Sequence, residues 1–211
     1  MKSLTKFWAL GFLFILVVTS GCMTWTAKIE DKSGIYSKPV IVGAPKIIIT
    51  DLTDKRHDKK LVGRISALNL ATQTPINIII TNRIASKLRE AGFNIQKVEL
   101  TGLENKSEVI AALKRNSSKM LFTGRLDHFF VESSDAILET AKGRASFRVD
   151  ILDERGKSLF YRTYTAHAQK HIGLGGGPGS EELIKETIQA TVNTLFHDIE
   201  FQRFLSQVKN K

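Results

Sequence analysis

The chain has 211 residues, 42% apolar and 25% charged, which excludes a disordered or collagenous protein and suits one globular domain plus an export segment. A single cysteine rules out an intrachain disulfide and a multi-cysteine metal centre, so packing has to hold the fold. The formal charge of +10 is scattered, with no long basic run and no nucleic-acid module, so anionic neighbours such as lipid headgroups are favoured over nucleic acid.

Residues 1–21 read as a signal peptide: Lys2 and Lys6 form a positive n-region, Phe7 to Val18 is apolar, and Thr19, Ser20 and Gly21 are small. The apolar run is too short for a permanent membrane span, which needs about 20 residues. Without Lys2 and Lys6 the mature chain keeps a charge of +8. Thr19-Ser20-Gly21-Cys22 resembles the lipobox of bacterial lipoproteins, with Thr19 in place of the usual leucine. That resemblance implies lipid on the Cys22 thiol and an acyl chain on the new amine, a combination that holds a protein stably at a bilayer. Met23 after the cysteine, rather than aspartate, implies the outer membrane, facing the periplasm.

Residues 22–44 read as a lipidated N-terminus and tether with an edge strand near Pro39 to Val42, and residues 45–208 as one α/β domain. Lys46 to Leu52 is β-branched and apolar, hence a buried strand. Thr53 to Asn69 is charge-rich and reads as a loop. Thr74 then caps a helix with Pro75 at its first position, and Ile76, Ile80, Ile84 and Leu88 form its apolar stripe. Gly92 ends that helix. Asn94 to Leu100 is the next strand, and Ser107 to Arg115 a short helix with Val109, Ile110 and Leu113 inward.

Three long strands follow. Met120, Phe122, Leu126 and Phe130 share one face of the first. In Ile137 to Leu152, Ala145, Phe147, Val149 and Ile151 alternate with Lys142, Arg144, Ser146, Arg148 and Asp150, the pattern of an antiparallel sheet with one wet side. Asp153 to Lys157 is a hairpin turn leading to the strand Ser158 to Ala168. Gly173 to Gly179 reads as a loop. Ser180 caps a final helix whose buried stripe is Ile184, Ile188, Val192, Leu195 and Ile199, with Phe204 and Leu205 extending it. The order β-α-β-α-β-β-β-α predicts a mixed, largely antiparallel sheet with helices mainly on one face.

Motifs for chemistry are weak. GLGGGPGS lacks the Lys-Ser or Lys-Thr of a phosphate loop, and Glu181 and Glu182 would repel an anion there. His167 and His171 fall on a strand, where a spacing of four does not pair ligands, so no metal site is read. Asp51, Asp54, Arg56 and His57 cluster after the first strand, where sites occur, but a turn satisfying its own polar groups explains them better. No nucleophile elbow is present. Arg144 and Arg148 are the candidate contacts for an anionic partner on the open sheet face, though a merely solvated face competes with that reading.

Over nearly its whole length the chain resembles the YajG family of proteobacterial lipoproteins. The likeness is carried by Cys22, the strand IIITDLTDKR with Asp54 and Arg56, Gly63-Arg64, Leu88 with Gly92-Phe93, GRASFRVDIL and DIEFQRFLSQ. It implies a small α/β envelope lipoprotein that is not an enzyme, uses no cofactor, and serves as a binding or accessory module. Its partners would be the membrane through the lipid anchor, envelope proteins or anionic lipid, and copies of itself. A looser likeness to CsgG-type secretion lipoproteins and to lipoproteins of lipid-transporting ABC systems supplies the alternative, a subunit of an oligomeric secretion or lipid-transport assembly.

Overall fold

The computed structural model describes residues 24–29, 43–65, 68–100, 106–133, 139–172 and 177–210. In chain order these form β1 (Thr24–Ala27), β2 (Lys46–Ile49), β3 (Thr53–Asp54), β4 (Leu61–Ile65), β5 (Leu68–Thr72), α1 (Ile76–Glu90), β6 (Asn94–Lys97), α2 (Lys106–Arg115), β7 (Met120–Ser133), β8 (Glu139–Asp153), β9 (Ser158–Ile172), α3 (Gly177–Phe196) and α4 (Ile199–Lys209). The expected mixed α/β architecture is present, with more strands than the sequence reading counted.

β7 is the axis of a nine-stranded sheet. One of its edges pairs antiparallel with β8 along nearly its full length, and β8 pairs antiparallel with β9. Its other edge takes three short parallel strands in succession: β2 at Met120 to Phe122, β3 at Arg125 and Leu126, and β4 at Val131 to Ser133. β6 joins β2, and β5 and β1 extend the sheet beyond β4. The segment Thr53 to Asn69, read as a loop, therefore holds β3, β4 and the start of β5. Gly63, Arg64 and Asn69 had masked a hairpin whose Val62, Ile65 and Leu70 are buried. The segment read as a tether contains β1, whose Ala27 lies in the core together with Ile29 just beyond it. Pro39 to Val42 lies outside the described residues.

Helices α1, α3 and α4 cover one face of the sheet. Ile76, Ile80, Ile84 and Leu88 of α1 are fully buried there, as are Ile184, Ile188 and Leu195 of α3, opposite Phe122, Phe147, Val149 and Ile151 of the sheet. Gly143 lets α3 approach β8 closely: a Cβ at that position would run into the Thr187 hydroxyl, itself bonded to the Leu183 carbonyl at 2.7 Å. Among the described residues α2 is the one helix on the opposite face, where Val109, Ala112 and Leu113 form a second cluster with Ile48 and Leu121. Ala112 takes the place expected of Ile110, which is only half-buried.

Three register details correct the sequence reading. The pairing of β7 with β8 shifts between Leu126 and His128, and this bulge inverts the alternation, so Phe129 enters the core and Phe130 turns to the open face. Helix α1 begins at Ile76, with Pro75 in the cap position at φ −54° and ψ 134° and no side-chain cap. The final helix starts three residues before Ser180, which lies buried inside it, and breaks at Asp198. That break resets the helical phase. Ile199, expected in the stripe, is 63% exposed, while Phe201 and Leu205 are buried.

Candidate functional site

Cys22 lies outside the described residues. Arg144 and Arg148 stand where the alternation put them, on the face of the sheet that α1, α3 and α4 leave open. Cross-strand register sets Arg144 between Phe130 of β7 and His167 of β9, and Arg148 between Arg125 and Thr163. Arg144 is exposed, whereas Arg148 is half-buried, with its guanidinium carbon 5.1 Å from the centre of the Tyr161 ring. Tyr161 is itself 55% exposed, so this cation–π pair forms a surface shelf rather than a pocket. Arg125 is engaged by Asp127 at 2.8 Å. The face combines Lys142, Arg144 and Arg148 with Phe130 and Tyr161 and with the carboxylates of Glu132 and Asp150, a mixed charged and aromatic surface.

The acidic cluster after the first strand resolves into two unrelated ion pairs. Asp51 meets Lys97 at 2.6 Å, across the parallel neighbour β6. Asp54 and Arg56 form a buried bidentate pair, with Nη2 to Oδ2 at 2.7 Å and Nε to Oδ1 at 3.0 Å. The same guanidinium donates to the carbonyls of Lys59 and Leu61, which closes the loop between β3 and β4. The pair's side chains are only 5% and 7% exposed, so a substrate has no access to them. His57 is exposed and belongs to neither pair.

His167 and His171 lie on one face of β9, about 13 Å apart at strand spacing. Thr140 contacts the second of them through His171 Nδ1 at 3.2 Å. Among the described residues no three His, Cys, Asp or Glu side chains gather as metal ligands. The glycine segment divides: 173–176 lies outside the described residues, and Gly177, Pro178 and Gly179 open α3.

A constellation not anticipated from the sequence lies at the outer edge of the helical face. Arg162 and Tyr164 of β9, Asn193 and Thr194 of α3, and His197 and Asp198 at the helix break line an open groove of about 630 Å³. Asp198 accepts the Tyr164 hydroxyl at 2.7 Å and caps α4 by accepting the Glu200 amide at 2.9 Å. Arg162 bridges Asp198 at 3.1 Å and Glu200 at 2.6 Å. Burial alone would raise the Asp198 pKa, but the Tyr164 hydroxyl, the Glu200 amide and the Arg162 guanidinium outweigh it and hold the carboxyl below its ordinary value. Burial and the neighbouring carboxylate push the Tyr164 hydroxyl well above its ordinary value, so it stays a donor. A carboxylate bound to three donors is a poor general base. The arrangement joins the last sheet strand to the junction of two helices. Its readable signal was an aspartate at a helix start with Glu200 in the first turn.

No family model matches the chain, and no curated protein matches it. Solved structures overlap it at low identity. Protein XCC0632 from Xanthomonas campestris is 6% identical with a TM-score of 0.49, covering 89% of this chain and 93% of that one. Lipoprotein GNA1162 from Neisseria meningitidis is 13% identical with a TM-score of 0.45, covering 73% and 99%. The PelC dodecamer from Paraburkholderia phytofirmans is 11% identical with a TM-score of 0.42, covering 74% and 89%.

Two stability effects are expected. Arg56→Met leaves a buried carboxylate and two carbonyls without their partner and should cost about 3–5 kcal/mol in urea unfolding; a loss below about 1 kcal/mol would show that the loop is closed by other contacts. Asp198→Asn should destabilise the domain at pH 7. Because the folded-state pKa of Asp198 is depressed, its contribution is complete above the unfolded value of about 3.9 and fades as pH falls through the folded one. The gap between wild type and variant in thermal melts should therefore narrow below about pH 4. A gap constant down to pH 2 would contradict the depressed carboxyl.

Proposed function

We propose that the chain is a lipid-anchored envelope lipoprotein whose folded body is a non-catalytic binding or accessory module, related to the YajG family and held at the outer membrane facing the periplasm. The observation that carries this reading is the run Thr19-Ser20-Gly21-Cys22 placed directly after a short apolar segment and one residue ahead of the first strand of the domain. Among the described residues no helix is long and apolar enough to cross a membrane. The non-catalytic part rests on the carboxylates at the two charged clusters: Asp54 is closed off by Arg56, and Asp198 is saturated by its donors. The open sheet face, through Arg144 and Arg148, is the binding surface of this reading. It meets an anionic headgroup or the acidic surface of another envelope protein.

Intact-mass measurement of the membrane-extracted protein tests the anchor. A mature chain starting at Cys22 and carrying acyl mass is expected, and Cys22→Ser should lose that mass and leave the membrane fraction with an unchanged melting temperature. A mature chain that starts elsewhere or bears a free thiol would overturn the reading.

The sheet face is tested with the lipid-free Cys22→Ser protein and phosphatidylglycerol vesicles. Arg144→Glu with Arg148→Glu should weaken vesicle binding by roughly fivefold per charge at low salt, as about 1 kcal/mol per surface cation implies, with little effect at high salt. Unaltered vesicle affinity would remove anionic lipid as the ligand of this face.

A further inference from the structure

The leash between the lipid and the folded body is almost absent. Only Met23 separates Cys22 from Thr24, the first residue of β1. Two residues of extended chain reach about 7 Å. β1 is no loose extension: it pairs with β5 over four residues, Ala27 is fully buried, and Trp25 packs against the main core.

The direction of β1 decides which part of the body this leash holds. β1 runs parallel to β5, with Thr24 opposite Asn69, and β5 starts where β4 ends, with Leu68 opposite Ile65. Ile65 in turn lies opposite Ser133, the last residue of β7. At the same end of β7, Lys142 near the start of β8 pairs with Glu132, while Glu139 faces Ile172, the last residue of β9. One end of the sheet therefore gathers the start of β1, the β4–β5 turn, the end of β7, the start of β8 and the end of β9. The turn from Asp153 to Lys157 lies at the opposite end of strands fifteen residues long, about 50 Å away at strand rise.

We propose that the protein stands on the bilayer on this end, with Thr24, Arg64 and Lys142 at headgroup level and the β8–β9 turn pointing away from the membrane. This rests on lipidation of Cys22. Across the strands, Arg64 and Lys142 flank the carboxylate of Glu132 in register, which puts two cationic side chains at the level of the phosphates. At the start of α3 Glu181 pairs with Lys185, and Lys170 is shared between Glu182 and Glu186. Trp25, three residues from the acylated position, puts a half-buried indole close to the same end of the sheet.

The test uses the full lipidated protein in phosphatidylethanolamine–phosphatidylglycerol vesicles. With the Cys22 thiol consumed by lipid, a fluorophore is placed on Lys142→Cys or on Arg155→Cys, and quencher-bearing lipids report proximity. Trp25, the only tryptophan in the mature chain, serves as an internal probe. Loss of emission from Trp25 and from the position-142 dye is expected, with the position-155 dye unaffected. Equal quenching of both dyes, or quenching only at 155, in protein that floats with the vesicles and carries acyl mass would overturn the orientation and leave the anchor standing. Protein without acyl mass that fails to float would overturn the anchor reading, and the orientation with it.

Discussion

The structure depends on one strand keeping two different kinds of neighbour. β7 offers β8 an almost unbroken antiparallel ladder, and on its other edge it divides fourteen residues among β2, β3 and β4. Short parallel strands have few hydrogen bonds of their own, so they need fixing from elsewhere. Helix α1 supplies part of this: the Thr81 hydroxyl accepts the Leu52 amide at 3.0 Å, and Asn77 donates to the Leu52 carbonyl at 2.8 Å. Arg56 supplies the rest by tying the chain between β3 and β4 to itself. The charged run after the first strand is therefore part of the sheet's construction, and its polar groups are spent on holding the short strands in place.

The same division of labour explains the two faces. Where α1, α3 and α4 cover the sheet, large apolar side chains meet with few polar interruptions, and aromatic contacts such as Phe147 on Tyr164 at 5.2 Å carry the packing outward to the edge strand. Beyond that point the apolar layer thins, and Tyr164, Arg162 and Asp198 take over as a polar joint. Among the described residues the opposite face has only α2. The rest of it carries long cationic side chains whose stems can cover the sheet while their heads stay in water.

Elements with one wet side and one dry side were legible in the sequence. β8 is the clearest, because its alternation from Ala141 to Ile151 survives without a bulge, and α1 is legible through four isoleucines and leucines at even spacing. What escaped is what local pattern cannot carry. β4 and β5 are five residues each, with glycine, arginine and asparagine among them, and they exist because β7 is there for β4 to pair with and β4 for β5. The exchange of Phe130 for Phe129 follows from a bulge set by the partner strand. Ile199 fits the heptad-like stripe only if the helix continues, and Asp198 stops it. The open-face arginines were placed correctly because they share β8's alternation. The Arg162–Tyr164–Asp198 joint spans distant segments and leaves no spacing to read.

The order in which these strands occur has a kinetic side. β7, β8 and β9 are neighbours along the chain as well as in the sheet, so they can close as a meander at small entropic cost. β2 must find β7 across a long intervening chain, as the contact of Thr50 with Thr123, 73 residues away, illustrates. Non-local pairings of this kind slow folding because the loop has to close before any contact rewards it. The C-terminal half is thus the natural template onto which the earlier segments dock, and β1, the first strand in the chain, is among the elements that depend on that template.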